Sequence, residues 1–272
     1  MIKIIDIDQL FDKYIHDYVY QNVGKIKPEE IENNIPILYE KFGNESLKEL
    51  NGLTPNTFYE SYKTEELIAL LRTHVEQGVA VSDFLCEAIT KRKTDCEIIK
   101  KSLDIEENEN LIAYLINFLS DMDEVYQSKY LEYVAYDYSE SVSELATEQL
   151  CKCADQVKEQ ILSWFNDASE QIKERFCEIL SYCKKDDRVF DLLTLQFVKN
   201  KNRTQLYAGY LARFGDERAL TFLYQAIEQE KISYADFEEL RFAIEALGGE
   251  YNKIRDFSAD RGFRKIKSQK VD

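Results

Sequence analysis

Lys185-Asp186-Asp187-Arg188-Val189-Phe190-Asp191-Leu192-Leu193 returns thirty residues later as Gly215-Asp216-Glu217-Arg218-Ala219-Leu220-Thr221-Phe222-Leu223. In both stretches acidic residues precede an arginine, and apolar residues follow in the same register. Acids at the start of a helix favour its positive end, and the apolar residues then begin its buried face. Gly215 suits the left-handed residue that stops one helix before the next begins. A further 34 residues on, Ala212-Arg213-Phe214-Gly215-Asp216 is echoed by Ala246-Leu247-Gly248-Gly249-Glu250. A unit of this length is a two-helix solenoid repeat.

Outward from the repeat, the chain contains only Pro28, Pro36 and Pro55, so the 217 residues from Asn56 onward lack the strongest helix breaker. Apolar positions recur at three- and four-residue spacings, as in Leu67, Leu70, Leu71, Val75 and in Phe176, Ile179, Leu180, Cys183, which predicts helices. Thr54 before Pro55, and Thr64 with Glu65 and Glu66, read as helix starts, while Gly78, Gly215 and Gly248-Gly249 read as stops. Helices are expected over 7–21, 28–42, 56–62, 65–77, 81–91, 94–102, 108–120, 124–138, 141–164, 169–183, 187–199, 203–214, 217–229 and 234–247. Residues 1–65, which hold every proline, match no repeat and read as a helical cap or accessory segment; residues 66–272 read as the array, clearest over 169–250, with a basic tail over 253–272.

The words Phe214-Gly215-Asp216-Glu217-Arg218-Ala219-Leu220 and Ala246-Leu247-Gly248-Gly249 resemble the bacterial HEAT-like repeats named after phycobilisome lyases. The resemblance implies an all-α fold, a right-handed α-α superhelix or solenoid. The activities of such proteins are diverse, so the resemblance carries the fold and not the function.

The formal charge is −16, with 35 Lys and Arg against 51 Asp and Glu. Such a surface repels phosphate backbones and anionic lipid, which argues against nucleic acid or membrane as the main ligand. The charge is uneven: residues 101–150 carry Lys101 and Lys129 against twelve carboxylates, whereas residues 201–272 are nearly balanced. The N-terminus turns acidic before any apolar stretch of signal-peptide length, and six cysteines lie in helical contexts of a chain too large to need disulfides. The expectation is a cytoplasmic protein with reduced thiols.

Little here points to catalysis. His16 and His74 lack an acid three residues before them, which removes the di-iron signature of helical bundles, and no zinc-protease, phosphate-loop or nucleophile-elbow motif occurs. Cys151 and Cys153, two apart on one helix, would point about 200° apart and share no metal. No cofactor and no metal are expected.

The residues that stand out for binding are carboxylates and tyrosines. Asp137, Glu140, Glu144 and Glu148 step by three, four and four, which on one helix makes a single acidic stripe. Asp121, Asp123, Glu124 and Glu132 lie nearby, and Tyr126, Tyr130 and Tyr133 share a helical face beside Tyr136 and Tyr138. A solvated face and ordinary core packing account for these patterns; an aromatic, acidic groove for a Lys- or Arg-rich partner accounts for them as well. The reading taken forward is a non-enzymatic protein-interaction or scaffold module that binds a basic protein through Tyr126, Tyr130, Tyr133, Asp137, Glu140, Glu144 and Glu148. The alternatives are a HEAT-like enzyme, glycosylase-like or a pigment lyase with Cys86 and His74 as nearest candidates, and an acidic inhibitor or immunity protein. The tail residues Lys253, Arg255, Arg261, Arg264, Lys265, Lys267 and Lys270 read as a solvated end, or as a segment that docks on a neighbouring copy.

Overall fold

The computed structural model of the chain describes residues 4–23 and 27–269. Among them the fold is all-α: sixteen α-helices pack on one another, joined in places by short 3-10 turns, with no strand. No helix among the described residues is long and apolar enough to cross a membrane. The chain divides into two compact units, Met1–Tyr126 and Gln127–Asp272.

The first unit holds α1 (Ile7–Gln21), α2 (Pro28–Gly43), α3 (Pro55–Phe58), α4 (Thr64–Gln77), α5 (Asp83–Thr90), α6 (Cys96–Asp104) and α7 (Glu109–Asp121). Its starts and stops follow local chemistry. Asp6 accepts the Gln9 N–H at 2.8 Å, Thr54 caps α3 ahead of Pro55, and Glu66 accepts the Lys63 N–H at 2.8 Å. Gly78 ends α4 at φ 63°. α4 packs against α5, α6 and α7, burying Leu67, Leu71, Leu85, Ile99 and Leu115 completely. The first 65 residues are attached to this core by aromatic rings: Phe11 meets Tyr39 at 4.8 Å and Phe42 at 5.2 Å, and Tyr39 stacks on Phe84 of α5 at 5.0 Å.

The second unit holds α8 (Gln127–Ala135), α9 (Glu140–Cys151), α10 (Ala154–Trp164), α11 (Glu170–Leu180), α12 (Asp187–Lys199), α13 (Thr204–Phe214), α14 (Leu220–Ile227), α15 (Tyr234–Ala246) and α16 (Arg261–Gln269). α9, α11, α13 and α15 touch in sequence to form one row, and α10, α12 and α14 each pack against the row. This is solenoid-like stacking, in which each hairpin buries its apolar face on the next. Ala146, Leu150, Phe176, Leu180, Leu193, Ala208, Leu223 and Leu240 are fully buried along it.

The repeated acid-acid-Arg word is the joint of this stack. Asp186 accepts the Arg188 backbone N–H at 3.0 Å and Asp216 accepts that of Arg218 at 3.0 Å, so each caps the turn that starts a helix. The arginines then reach across hairpins. Arg188 forks onto Glu159 at 2.7 and 2.9 Å, and Arg218 reaches Asp187 at 2.8 Å with its guanidinium 4.2 Å over the Phe190 ring. Lys158 adds a bond to Asp186 at 2.9 Å. Gly215, at φ 75°, supplies the left-handed stop ahead of Asp216.

Three expectations need correction. The helix expected over 141–164 is two, because a tight turn at Lys152 and Cys153 separates α9 from α10. A straight helix of that length would bury one stripe, whereas the turn lets both halves pack on α11. The helix expected over 124–138 ends at Ala135, and Asp137 sits in the left-handed region at φ 49°. The tail is exposed along most of its described part, as a solvated end would be, but it also carries an unexpected helix and docks on α15. Phe257 meets Phe237 at 5.0 Å, Phe263 meets Tyr234 at 4.9 Å, Arg255 donates to the Gln229 carbonyl at 2.6 Å, Lys253 pairs with Glu228, and α16 packs on α15. Lys270 lies outside the described residues.

The joint makes two predictions for equilibrium urea unfolding. Gly215→Ala should cost about 1 kcal/mol from backbone conformation alone, because the added Cβ meets only the Arg213 carbonyl, at 3.9 Å. Arg188 and Lys158 hold the Asp186 carboxyl well below the usual range, and Arg218 holds Asp216 below it. Carboxyls depressed in the folded state stabilise fully above their unfolded pKa and lose that contribution as pH falls through the folded value. Stability should therefore drop below about pH 4, and less steeply in Asp216→Asn.

Candidate functional site

α9 buries Val142, Ala146 and Leu150, while its Ser143 hydroxyl donates to the Tyr133 carbonyl at 2.9 Å and Thr147 to the Ser143 carbonyl at 2.7 Å. With that side committed to the core, Glu140, Glu144 and Glu148 fall on the exposed side. α11 buries Phe176, Ile179 and Leu180, which leaves Glu178 half-buried at the edge of the same surface.

Between them lies a cleft of about 600 Å3 lined by Glu144, Glu148, Cys151, Arg175, Glu178 and Tyr182, among others. Three carboxylates face two cations, Lys152 and Arg175. Arg175, only 8% exposed, is already paired with Asp137. Burial pushes the Glu178 carboxyl above the ordinary glutamate range; Glu174 and Glu144 push the same way, against Arg213 and a bond from Tyr210. Arg213 of α13 stands 4.6 Å over the Tyr182 ring and donates to the Ser181 hydroxyl at 3.2 Å, closing the wall on that side. The cleft is thus rich in acceptors, with an aromatic side and a net deficit of positive charge.

Of the seven residues singled out from sequence, the structure brings Glu144 and Glu148 into the cleft and keeps Glu140 on their helix face. Asp137 is off that helix and contributes through Arg175. The tyrosines do not line it. Tyr130 is 0% exposed and Tyr133 3%, because α8 turns them inward against α9. Tyr126 belongs to the first unit, where its hydroxyl donates to Asp104 at 3.0 Å. Asp123 and Glu124 also lie in the first unit, paired with Lys93 at 3.1 Å and Lys100 at 3.2 Å, and Glu132 lies 3.6 Å from Lys129. Spacing put Tyr130 and Tyr133 on one face but wrongly included Tyr126, which precedes α8, and it does not say whether that face meets core or solvent.

Glu178 and Tyr182 were missed, and the signal that finds them is the repeat itself. A step of 34 residues carries Glu144 onto Glu178 and Glu148 onto Tyr182. Repeats that stack in register place such positions side by side on neighbouring helices.

The reactive-residue candidates are quiet. His74 is buried and its Nδ1–H donates to the Ala80 carbonyl at 2.7 Å, and burial, with Asp83 adding, pushes the Cys86 thiol up to about 11. Among the described residues no group of three or more His, Cys, Asp or Glu side chains is placed to hold a metal ion. No family model, no curated protein and no solved structure matches the chain.

Burial, with Glu178 adding, pushes the Cys151 thiol up to about 12. Since the thiolate is the reacting form, iodoacetamide at pH 8 should alkylate Cys151 on the order of a hundredfold more slowly than it does glutathione. Peptide mapping by mass spectrometry over a time course reads this directly, and a rate equal to that of glutathione would contradict the half-buried, electronegative setting described above.

Proposed function

We propose that this chain is a HEAT-like, non-catalytic protein-interaction module of the cytoplasm that binds a basic protein through the acidic cleft of α9 and α11. The observation that carries the reading is the convergence of Glu144, Glu148 and Glu178 on one cleft while the nearest arginine is already neutralised by Asp137. Lysine and arginine side chains bring the charge that the cleft lacks, and Tyr182 offers a flat face for their stems. A stacked-helix array is suited to such work, since neighbouring hairpins present aligned positions to one extended ligand.

Cys86, Cys96, Cys151, Cys153, Cys177 and Cys183 are all free, which suits a reducing compartment. A lyase working through Cys86 or Cys151 fits less well, because burial holds both thiols protonated at neutral pH.

The test is capture from native cell extract on the immobilised chain, beside the variant Glu144→Gln/Glu148→Gln/Glu178→Gln, at low and raised salt. A basic protein should be retained at low salt and released as salt rises, with affinity reduced about tenfold or more in the variant. Affinity should also fall as pH drops through the raised Glu178 value, at higher pH than an ordinary glutamate would give, because protonation removes an acceptor. Equal retention by both proteins would remove the cleft from the interaction.

A further inference from the structure

A second, smaller depression in the Gln127–Asp272 unit has a different character. Its volume is about 210 Å3, and its walls are Ala135 and Tyr136 from the end of α8, Trp164 and Asp167 from the end of α10, and Ile172 and Phe176 from α11. That is below the roughly 300–1,000 Å3 typical of small-molecule sites. It has room for one side chain rather than a metabolite.

The floor is apolar, with Phe176 fully buried beneath it. The rim is not. Tyr136 is 79% exposed, and Trp164 is the only tryptophan in the chain. Among the described residues neither ring stacks on another, neither the indole N–H nor the Tyr136 hydroxyl has a hydrogen-bond partner, and Asp167 makes no ion pair. Most other aromatic rings of this unit sit against one another or the core, as Tyr207 on Tyr210 and Phe237 on Phe257 do. A half-buried tryptophan and an exposed tyrosine around an apolar hole beside a spare carboxylate leave three kinds of interaction unused at one point.

A single ligand chemistry uses all of them. An aliphatic side chain would fill the floor and strand Asp167 without a counter-charge. An anion would meet both Asp167 and the protein's net charge of −16. An arginine lays its methylene stem on the apolar floor, its guanidinium plane against the Trp164 face, and its fork on the Asp167 carboxylate. We propose that this pocket receives one arginine side chain of a basic peptide segment. The inference rests on the reading of a basic protein partner and narrows it. α11 lines both depressions, with Arg175 and Glu178 facing the acidic cleft and Ile172 and Phe176 facing this pocket.

The single tryptophan makes the test direct. A nona-arginine peptide is titrated into the full chain twice, once labelled with fluorescein and followed by anisotropy, once unlabelled and followed by Trp164 emission. A nonapeptide of citrulline, which keeps the shape and removes the charge, is the control. Both readouts should saturate at the same peptide concentration, and the citrulline peptide should move neither. Asp167→Asn and Tyr136→Ala, both at exposed positions, should each weaken binding roughly threefold to tenfold. If the arginine peptide binds by anisotropy, remains sensitive to Glu144→Gln/Glu148→Gln/Glu178→Gln, and yet leaves Trp164 emission and both pocket variants unaffected, the pocket is refuted and the cleft stands. If the peptide shows no anisotropy change at all, the basic-partner reading fails and the pocket fails with it.

Discussion

Each helix of the row α9, α11, α13 and α15 carries an apolar face that its own hairpin partner covers only in part, so the remainder must be buried on the next hairpin. That requirement sets the spacing of everything else. Hairpins held in register bring equivalent positions of successive helices side by side, which is why an acid on α9 finds an acid on α11. The Asp186–Arg188 and Asp216–Arg218 joints serve the same end. Each fixes the start of a helix and, through the same arginine, its distance from the hairpin before it. The acidic cleft is a by-product of this register, since side chains not needed for stacking line the row in file.

The second unit's electrostatics follow from which carboxylates that stacking leaves unanswered. Asp186, Asp216 and Glu159 are consumed by arginines or lysines at the joints, and Asp137 by Arg175. Glu144, Glu148 and Glu178 remain at the row's surface, and Glu178 bears part of the cost of burial without a dedicated cation on its own helix. In the Met1–Tyr126 unit, Asp123 and Glu124 have lysine partners, so they add less to the acidic surface than their number suggests.

Much of this was legible beforehand. Helix class, the left-handed stops at Gly78 and Gly215, and the cap at Thr54 follow from local chemistry that acts within a few residues. The stripe of Glu140, Glu144 and Glu148 follows from helical period alone. What escaped needs information that one helix does not hold. Tyr130 and Tyr133 share a face as expected, but only the position of α9 says that the face points inward. The turn at Lys152 and Cys153 contains no proline or glycine, and it lets two short helices both pack on α11. The docking of Phe257 and Phe263 on α15 depends on aromatic partners at Tyr234 and Phe237, twenty or more residues away in sequence.

The joints between hairpins also have a mechanical side. Glu159 to Arg188 and Asp187 to Arg218 are successive links, each spanning one pair of neighbours and none spanning two. Tension applied along the row would load such links in series, so extension begins at the weakest one instead of being shared. Both links are backed by the acid that caps the arginine's own helix, Asp186 behind Arg188 and Asp216 behind Arg218, while their outer partners, Glu159 and Asp187, are open to water and to dissolved ions. In strong salt, therefore, the outer links would loosen before the caps behind them, and the row would peel rather than shatter.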